Sequence, residues 1–399
     1  MNRIKQIMIV SVITHFFLIS AHSSQGPVVL IIGTRPEAIK MIPVYKALQA
    51  EGIPALICST GQHTDLLDDI FTIFKVKPDC SLNIMKPGQD LFHITATVLT
   101  KMKEYLLETK PSLVLVQGDT TTAMSAALAA FYLKIPVGHI EAGLRTHNLY
   151  APYPEEMNRQ FISLIAAYHF APTSLSVDNL ATEHRNPETI FCVGNTVVDA
   201  LHMVKESIQN NELPVSESLK DIIAQCKVCN KKIMLLTAHR RESFQEGLQH
   251  IFSAIKKSLE LHPELFVIYP MHPNPIIKEK FEESGLEKMP NILVTKPLIY
   301  NDLVYILDAV DFVATDSGGI QEEAISLGKP VLVLRNETDR PEGLMHGIAQ
   351  LVGTNEECIV KNISITLHGT RNYGNCMVYG NGDTSNQIAH IIKELRGLS

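Results

Sequence analysis

PVVLIIGTRPEAIKM (Pro27–Met41) opens on an apolar run of strand length, breaks at Gly33 and continues as a helical pattern. A buried strand that passes into a helix through a Gly, with an Arg and a Lys just beyond, is the junction at which open α/β sheets bind phosphorylated ligands. Gly33 permits a tight turn, and Pro36 suits the first helical position, where its missing N–H is harmless. Arg35 then stands beside a helix N-terminus, which attracts anions, and Lys40 follows about one turn later. Either cation alone reads equally well as a surface residue. The stretch is neither a Walker loop nor a GxGxxG turn.

The same passage recurs outward from it. VVLII, PALICS, LVLVQ and PVGHI are followed, further on, by IMLLT, LFVIYP, ILVT, FVAT and PVLVL, with amphipathic stretches between them. Continuous apolar runs of this kind imply parallel strands covered by helices on both faces. There are too many for one comfortable sheet, and the polar stretch ESIQNNELPVSES (Glu206–Ser218) lies between two series. The expected architecture is therefore α/β, with two Rossmann-like doubly wound domains at 26–195 and 196–375 and a cleft between them. A chain of 399 residues is long enough for both, and 45% apolar residues can fill their cores.

A net charge of −7 argues against general nucleic-acid binding while leaving room for a local cationic pocket. The seven cysteines are scattered and odd in number, which disfavours a disulfide framework. Cys226 and Cys229 form one CxxC without the second pair of ligands that a zinc site needs. Arg3 and Lys5, then IMIVSVITHFFLIS (Ile7–Ser20) and AHSS, make residues 1–25 resemble a secretory signal, or else mark an upstream start. The apolar run is short for a membrane span, and no other segment would cross one, so no stable membrane partner is expected.

In doubly wound sheets the ligand sits at the carboxyl ends of the strands, and the polar residues there form a pattern. Asp119 follows LVLVQ and is equally an N-cap. Glu141 ends PVGHI, and a carboxylate there is costly to bury without a partner. Glu155 and Arg159 share a helix face in PYPEEMNR, and could be no more than a weak surface ion pair. His239 and Arg240 follow IMLLT, and His272 follows LFVIYP. In TDSGGIQEE, Ser317 is placed to cap a helix whose first N–H groups Gly318 and Gly319 leave bare for a phosphate. On that helix Ile320, Ala324 and Leu327 mark the apolar face. Glu322, about 160° away, is expected to face solvent. Glu323, about 60° away, is held at the core edge, where it needs a partner such as a ribose diol. Together these residues describe a nucleotide-diphosphate-sugar site: Arg35, Lys40 and the Ser317–Gly319 turn for the diphosphate, Glu323 for the diol, and an acidic cluster facing a His. The arrangement calls for no metal.

GTRPEAIKM, QGDTTTA, HIEAGLRT, PYPEEMNR, GNTVVDAL, TAHRRESF and TDSGGIQEEA, in that order, resemble the non-hydrolysing UDP-N-acetylglucosamine 2-epimerase family from about Val28 to the last helix. The resemblance implies a fold of the glycosyltransferase-B type, a homodimer, and a last helix (376–399) that returns to the first domain. It implies reversible conversion of UDP-GlcNAc to UDP-ManNAc without a cofactor, feeding surface polysaccharide synthesis. It assigns catalysis to Asp119, Glu141, Glu155 and His239, and makes Gln62 and His63 an allosteric UDP-GlcNAc site. Because UDP-GlcNAc is made in the cytoplasm, the protein is expected to work there. Three features depart from the family pattern: the leader, the stretch GTRNYGNCMVYGNGDTS (Gly369–Ser385), and RPEG in place of RPEA at Arg340.

The chemistry narrows the route. The C2 proton of the sugar is barely acidic, so the anomeric C–O bond must break first, with a 2-acetamidoglucal as intermediate. Two faces of C2 then need two acid/base groups. Nothing is oxidised, so no nicotinamide is required. A glycosyltransferase would share the fold and the donor. A non-catalytic UDP-sugar sensor would tolerate loss of the acidic set, which is complete here.

Overall fold

The computed structural model describes residues 26–61, 65–86, 88–240, 246–369 and 376–398. The signal-like segment 1–25 lies outside them. In the first half, β1 (Val28–Ile32), β2 (Ala55–Ser59), β3 (Cys80–Ser81), β4 (Leu113–Gln117), β5 (Val137–Ile140), β6 (Tyr168–Ala171) and β7 (Ile190–Cys192) form a sheet in the order 3-2-1-4-5-6-7. In the second, β8 (Lys232–Thr237), β9 (Leu265–Pro270), β10 (Ile292–Thr295), β11 (Phe312–Thr315), β12 (Val331–Val333) and β13 (Ala349–Leu351) run 10-9-8-11-12-13. Every pairing is parallel.

Parallel pairing explains the apolar runs. All five residues of β1 are buried, because helices cover both faces of the sheet. Strand order reverses between β1 and β4 in one sheet and between β8 and β11 in the other, which opens a crevice at the carboxyl ends of each. Those crevices receive the residues after β1, β4 and β5 from one side and after β8 and β11 from the other.

Helix Thr196–Gln209 joins the halves. It packs on helices Arg35–Ala50 and Thr384–Leu395 on one side and on helices Tyr300–Ala309 and Gly318–Ser326 on the other. Its Val197, Leu201 and Val204 belong to an apolar core that also contains Ile42 and Val304, so the packing is continuous across the chain midpoint. Helix Thr384–Leu395 lies on helix Arg35–Ala50, where Lys393 pairs with Glu51 at 2.9 Å and Arg396 donates to the Ser112 hydroxyl at 2.8 Å. Among the described residues, no helix is long and apolar enough to cross a membrane.

Candidate active site

The turn after β1 is built by close approach. A Cβ on Gly33 would come within 2.8 Å of both the Thr60 hydroxyl and the Thr122 methyl. Helix Arg35–Ala50 begins at Arg35, so Pro36 takes the second helical position rather than the first. The anion at this helix N-terminus comes from the chain itself. Glu37 accepts from the backbone N–H groups of Gly33 (2.8 Å) and Thr34 (2.6 Å) and from the Thr34 hydroxyl (2.9 Å). Its other oxygen accepts from the Thr120 hydroxyl (2.6 Å), tying the β1 turn to the β4 turn. Arg35 reaches away across the cleft and donates to the Leu298 carbonyl at 3.0 Å.

Lys40 is buried between two carboxylates, Glu141 at 2.5 Å and Glu322 at 3.1 Å. It also lines the cavity described below, beside Arg35 and Glu323. Glu322 departs from the expected solvent-facing position. It is fully buried, because its helix is flanked by Lys40 of the first domain and by Arg340, whose Nε donates to it at 2.9 Å. Glu141 adopts a left-handed backbone (φ +62°), uncommon for a residue with a side chain, and this turns its carboxylate toward Lys40, Arg340 (3.1 Å) and the Gln117 amide. Burial acts to raise the Glu141 pKa, but Lys40 and Arg340 outweigh it and hold the group below the usual carboxylate range. Asp339 behaves likewise: burial is offset by Arg340, Arg159 and Arg335, and the carboxyl stays well below its ordinary value.

Asp119 is not an N-cap. Thr120 caps helix Thr121–Tyr132 through Ala123, which frees Asp119 to pair with Arg159 at 3.0 Å. Arg159 is buried, not superficial, and it turns to Asp119, Glu156 (3.5 Å) and Asp339 (3.4 Å) instead of the Glu155 carboxylate. Glu155 Oε2 and Arg159 Nη1 are buried without a hydrogen-bond partner. Burial raises the pKa of Asp119 against the pull of Arg159. Burial and then repulsion from Asp119 raise that of Glu155.

On the opposite wall, Asp316 organises the end of β8. Its Oδ2 accepts from the backbone N–H groups of His239 (2.5 Å) and Arg240 (2.7 Å), and its Oδ1 faces His239 Nδ1 at 3.3 Å. His239 stacks on His272 with ring centroids 5.6 Å apart, and burial, then His239, lowers the His272 pKa. Arg240 Nε is buried without a partner among the described residues. Ser317 occupies the N-cap of helix Gly318–Ser326, yet its hydroxyl makes no capping bond, so that N-terminus is left open. Arg35, His239, His272, Ser317, Gly319 and Glu323 line a cavity of about 250 Å³ there. Tyr300 donates to Glu323 at 2.7 Å. Burial raises the Glu323 carboxyl to about 7, against the Tyr300 bond and Lys40.

The structure thus gathers Arg35, Ser317, Gly319, Glu323, His239 and His272 around one cavity, and Asp119, Glu141 and Arg159 in a neighbouring ionic cluster, with Lys40 bordering both. Gln62 and His63 lie outside the described residues, as do Arg241 to Ser243 of the HRRES stretch. The sequence reading passed over Glu37, Tyr300, Asp316, Asp339 and Arg340. For Arg335, Asp339 and Arg340 a signal existed, since they follow the apolar run PVLVL as the other site residues follow theirs.

Two doubly wound parallel sheets whose switch points face one cleft, with an anion-ready turn on one side and buried carboxylates on the other, define a nucleotide-sugar enzyme of the glycosyltransferase-B fold. The comparisons with known proteins give the family. Residues 46–393 match the family model described as UDP-N-acetylglucosamine 2-epimerase, and the chain belongs to that family of isomerases. It is similar to the UDP-N-acetylglucosamine 2-epimerase of Yersinia pestis, 44% identical over 374 residues that cover 92% of this chain and 98% of the relative. It superposes on the UDP-GlcNAc 2-epimerase of Neisseria meningitidis bound to UDP-GlcNAc with a TM-score of 0.85, at 40% identity over 92% of this chain and 100% of the other. The Methanocaldococcus jannaschii UDP-GlcNAc 2-epimerase in complex with UDP-GlcNAc and UDP gives 0.80 at 33% identity, over 92% of this chain and 99% of the other.

Proposed function

We infer that this chain interconverts UDP-GlcNAc and UDP-ManNAc by eliminating UDP and adding it back. The observation that carries the mechanism is the separation of the carboxyl groups. Glu141 is held ionised between Lys40 and Arg340, while Asp119 and Glu155 are pushed toward the protonated state. Groups whose environments drive their pKa values apart take different roles in acid–base chemistry. Glu141 is the fixed charge facing the oxocarbenium-like centre, and Lys40 acts through it. Asp119 and Glu155 exchange the C2 proton.

The C1–O bond breaks with its electron pair passing to the diphosphate. The C2 proton goes to a carboxylate, and the C1=C2 bond of the 2-acetamidoglucal forms. Protonation of C2 from the opposite face and attack of the diphosphate oxygen on C1 give the epimer. The open helix N-terminus at Ser317, Gly318 and Gly319, with Arg35 and Arg240, stabilises the departing diphosphate. Glu323 accepts from the ribose diol, and His239, oriented by Asp316 and stacked on His272, stands at the diphosphate end of the cavity. The cavity of about 250 Å³ is small for a whole nucleotide sugar. The sugar therefore extends from it into the cleft toward Asp119.

The same reading makes the working unit a homodimer in the cytoplasm, with Gln62 and His63 sensing UDP-GlcNAc. The test is direct: the purified chain with UDP-GlcNAc alone should produce UDP-ManNAc, resolved by proton NMR. Release of free ManNAc, or transfer to an added acceptor sugar, would refute the assignment.

A further inference from the structure

The end of the second domain remote from the cleft carries a cluster that the epimerase reading does not use. His262 caps helix Gly247–Leu261, Glu264 stands just before β9, and His368 ends helix Glu356–His368. Glu264 Oε1 lies 3.6 Å from His262 Nδ1 and 3.9 Å from His368 Nε2, and the three ligand atoms lie within 4.8 Å of one another. Hydrogen-bonded groups would close to about 2.9 Å. Ligand atoms around a tetrahedral ion, each about 2.1 Å from the metal, stand about 3.4 Å apart. Both carboxylate–imidazole separations are therefore longer than hydrogen bonds and closer to those of a coordination shell.

Other features agree with that spacing. His262 Nε2 lies 2.6 Å from the Ser364 hydroxyl. If Nε2 carries the proton and donates it there, the lone pair is left on Nδ1, the nitrogen that faces Glu264. A hydrogen bond on the far ring nitrogen is what fixes a metal-ligating histidine. The backbone beneath is anchored, since Lys232 N–H donates to the Glu264 carbonyl at 2.8 Å and Leu265 N–H to that of His262 at 2.9 Å. The His262 and His368 rings meet edge to face at 68° with centroids 5.4 Å apart. His368 is 63% exposed, so water can fill a fourth position. Lys231, whose Nζ donates to the Pro263 carbonyl at 2.6 Å, is a nearby cation and limits the affinity.

We propose that His262, Glu264 and His368 form a site for a divalent cation of the zinc class, which clips the ends of two helices together on the face away from the substrate. Two imidazoles and one carboxylate suit zinc, cobalt or nickel and suit magnesium or calcium poorly. The clip is structural and takes no part in epimerisation.

The experiment titrates the full chain, free of any histidine tag, with zinc chloride by calorimetry, and follows thermal unfolding with zinc and with excess EDTA. One ion should bind per chain and raise the melting temperature, and EDTA should reverse the rise. Glu264→Gln and His368→Ala should each weaken zinc binding at least about tenfold, and Ser364→Ala by about tenfold through its effect on His262. Unchanged UDP binding shows that a variant is folded. If Glu264→Gln fails to fold, the exposed His368→Ala carries the test. Absence of zinc binding to the wild-type chain, or zinc affinity and thermal shift unchanged in Glu264→Gln and His368→Ala, would overturn the proposal.

Discussion

The two halves of the molecule meet the cleft with the same element, a strand passing into a helix, but they treat the helix N-terminus in opposite ways. After β1, Glu37 already stands beside it as an anion of the chain, held by four hydrogen bonds from Gly33, Thr34 and Thr120. After β11, Ser317 leaves it uncapped beside a cavity. A filled N-terminus holds a turn rigid, and an open one binds a ligand anion. On the proposed reading the difference divides the labour: the second domain would hold the diphosphate, and the first, with its anion already in place, would present Asp119, Glu141 and Glu155 to the sugar. The charges that join the halves, Lys40 with Glu322 and Arg340 with Glu141, are the seam between the two roles.

The seam breaks most severely at Arg340. Arg340→Met leaves Glu141, Glu322 and Asp339 buried with one cation fewer, and unfolding in urea should register a loss of about 3–5 kcal/mol. A loss under about 1 kcal/mol would mean that the cluster does not hold the halves together. Asp119→Asn and Glu155→Gln test the first-domain role. Each should cut turnover by about 100-fold, close to 2.7 kcal/mol, while leaving UDP affinity in place. Equal losses of turnover and of UDP binding would erase the division.

Arg35→Ala and Glu323→Gln test the nucleotide side of the cleft, which Arg35 joins by reaching across from the first domain to the Leu298 carbonyl. Charge-assisted bonds of this kind contribute about 1.5–3 kcal/mol, so calorimetry should find UDP binding at least about tenfold weaker in each. Unchanged binding would move the nucleotide elsewhere. The smallest effect is in pH. Burial places the Glu323 carboxyl at about 7, and its ionised form is the stronger acceptor for a diol. Acceptor strength is complete above that pKa and lost as pH falls through it, so UDP affinity should drop severalfold from about pH 8 to about pH 6. The phosphate of UDP titrates identically against wild type and Glu323→Gln, so the difference between the two curves isolates Glu323. Tyr300→Phe removes a bond that lowers the Glu323 pKa and should shift that difference to higher pH.

Most of this division was legible in sequence because doubly wound sheets put ligands at strand carboxyl ends, which made Asp119, Glu141, His239 and the Ser317–Gly319 turn readable from the runs before them. Glu322 was misjudged because a helical wheel treats one helix alone, and the partners that bury this carboxylate, Lys40 and Arg340, come from outside that helix. Glu37 drew no reading from sequence, because only the folded chain brings Gly33, Thr34 and Thr120 together on its carboxylate. The short strands β3, β7 and β13 carry too few apolar residues to stand out, and β6 mixes two rings and a histidine into four residues.

The most direct test of the division is the fate of the C2 proton. UDP-GlcNAc turned over in D2O and followed by proton NMR should give UDP-ManNAc carrying deuterium at C2, with label entering the substrate pool on longer incubation, because the acid that reprotonates the glycal has exchanged its proton with solvent. UDP-ManNAc formed with its original hydrogen at C2 would contradict elimination and, with it, the separate roles assigned to the two sides of the cleft.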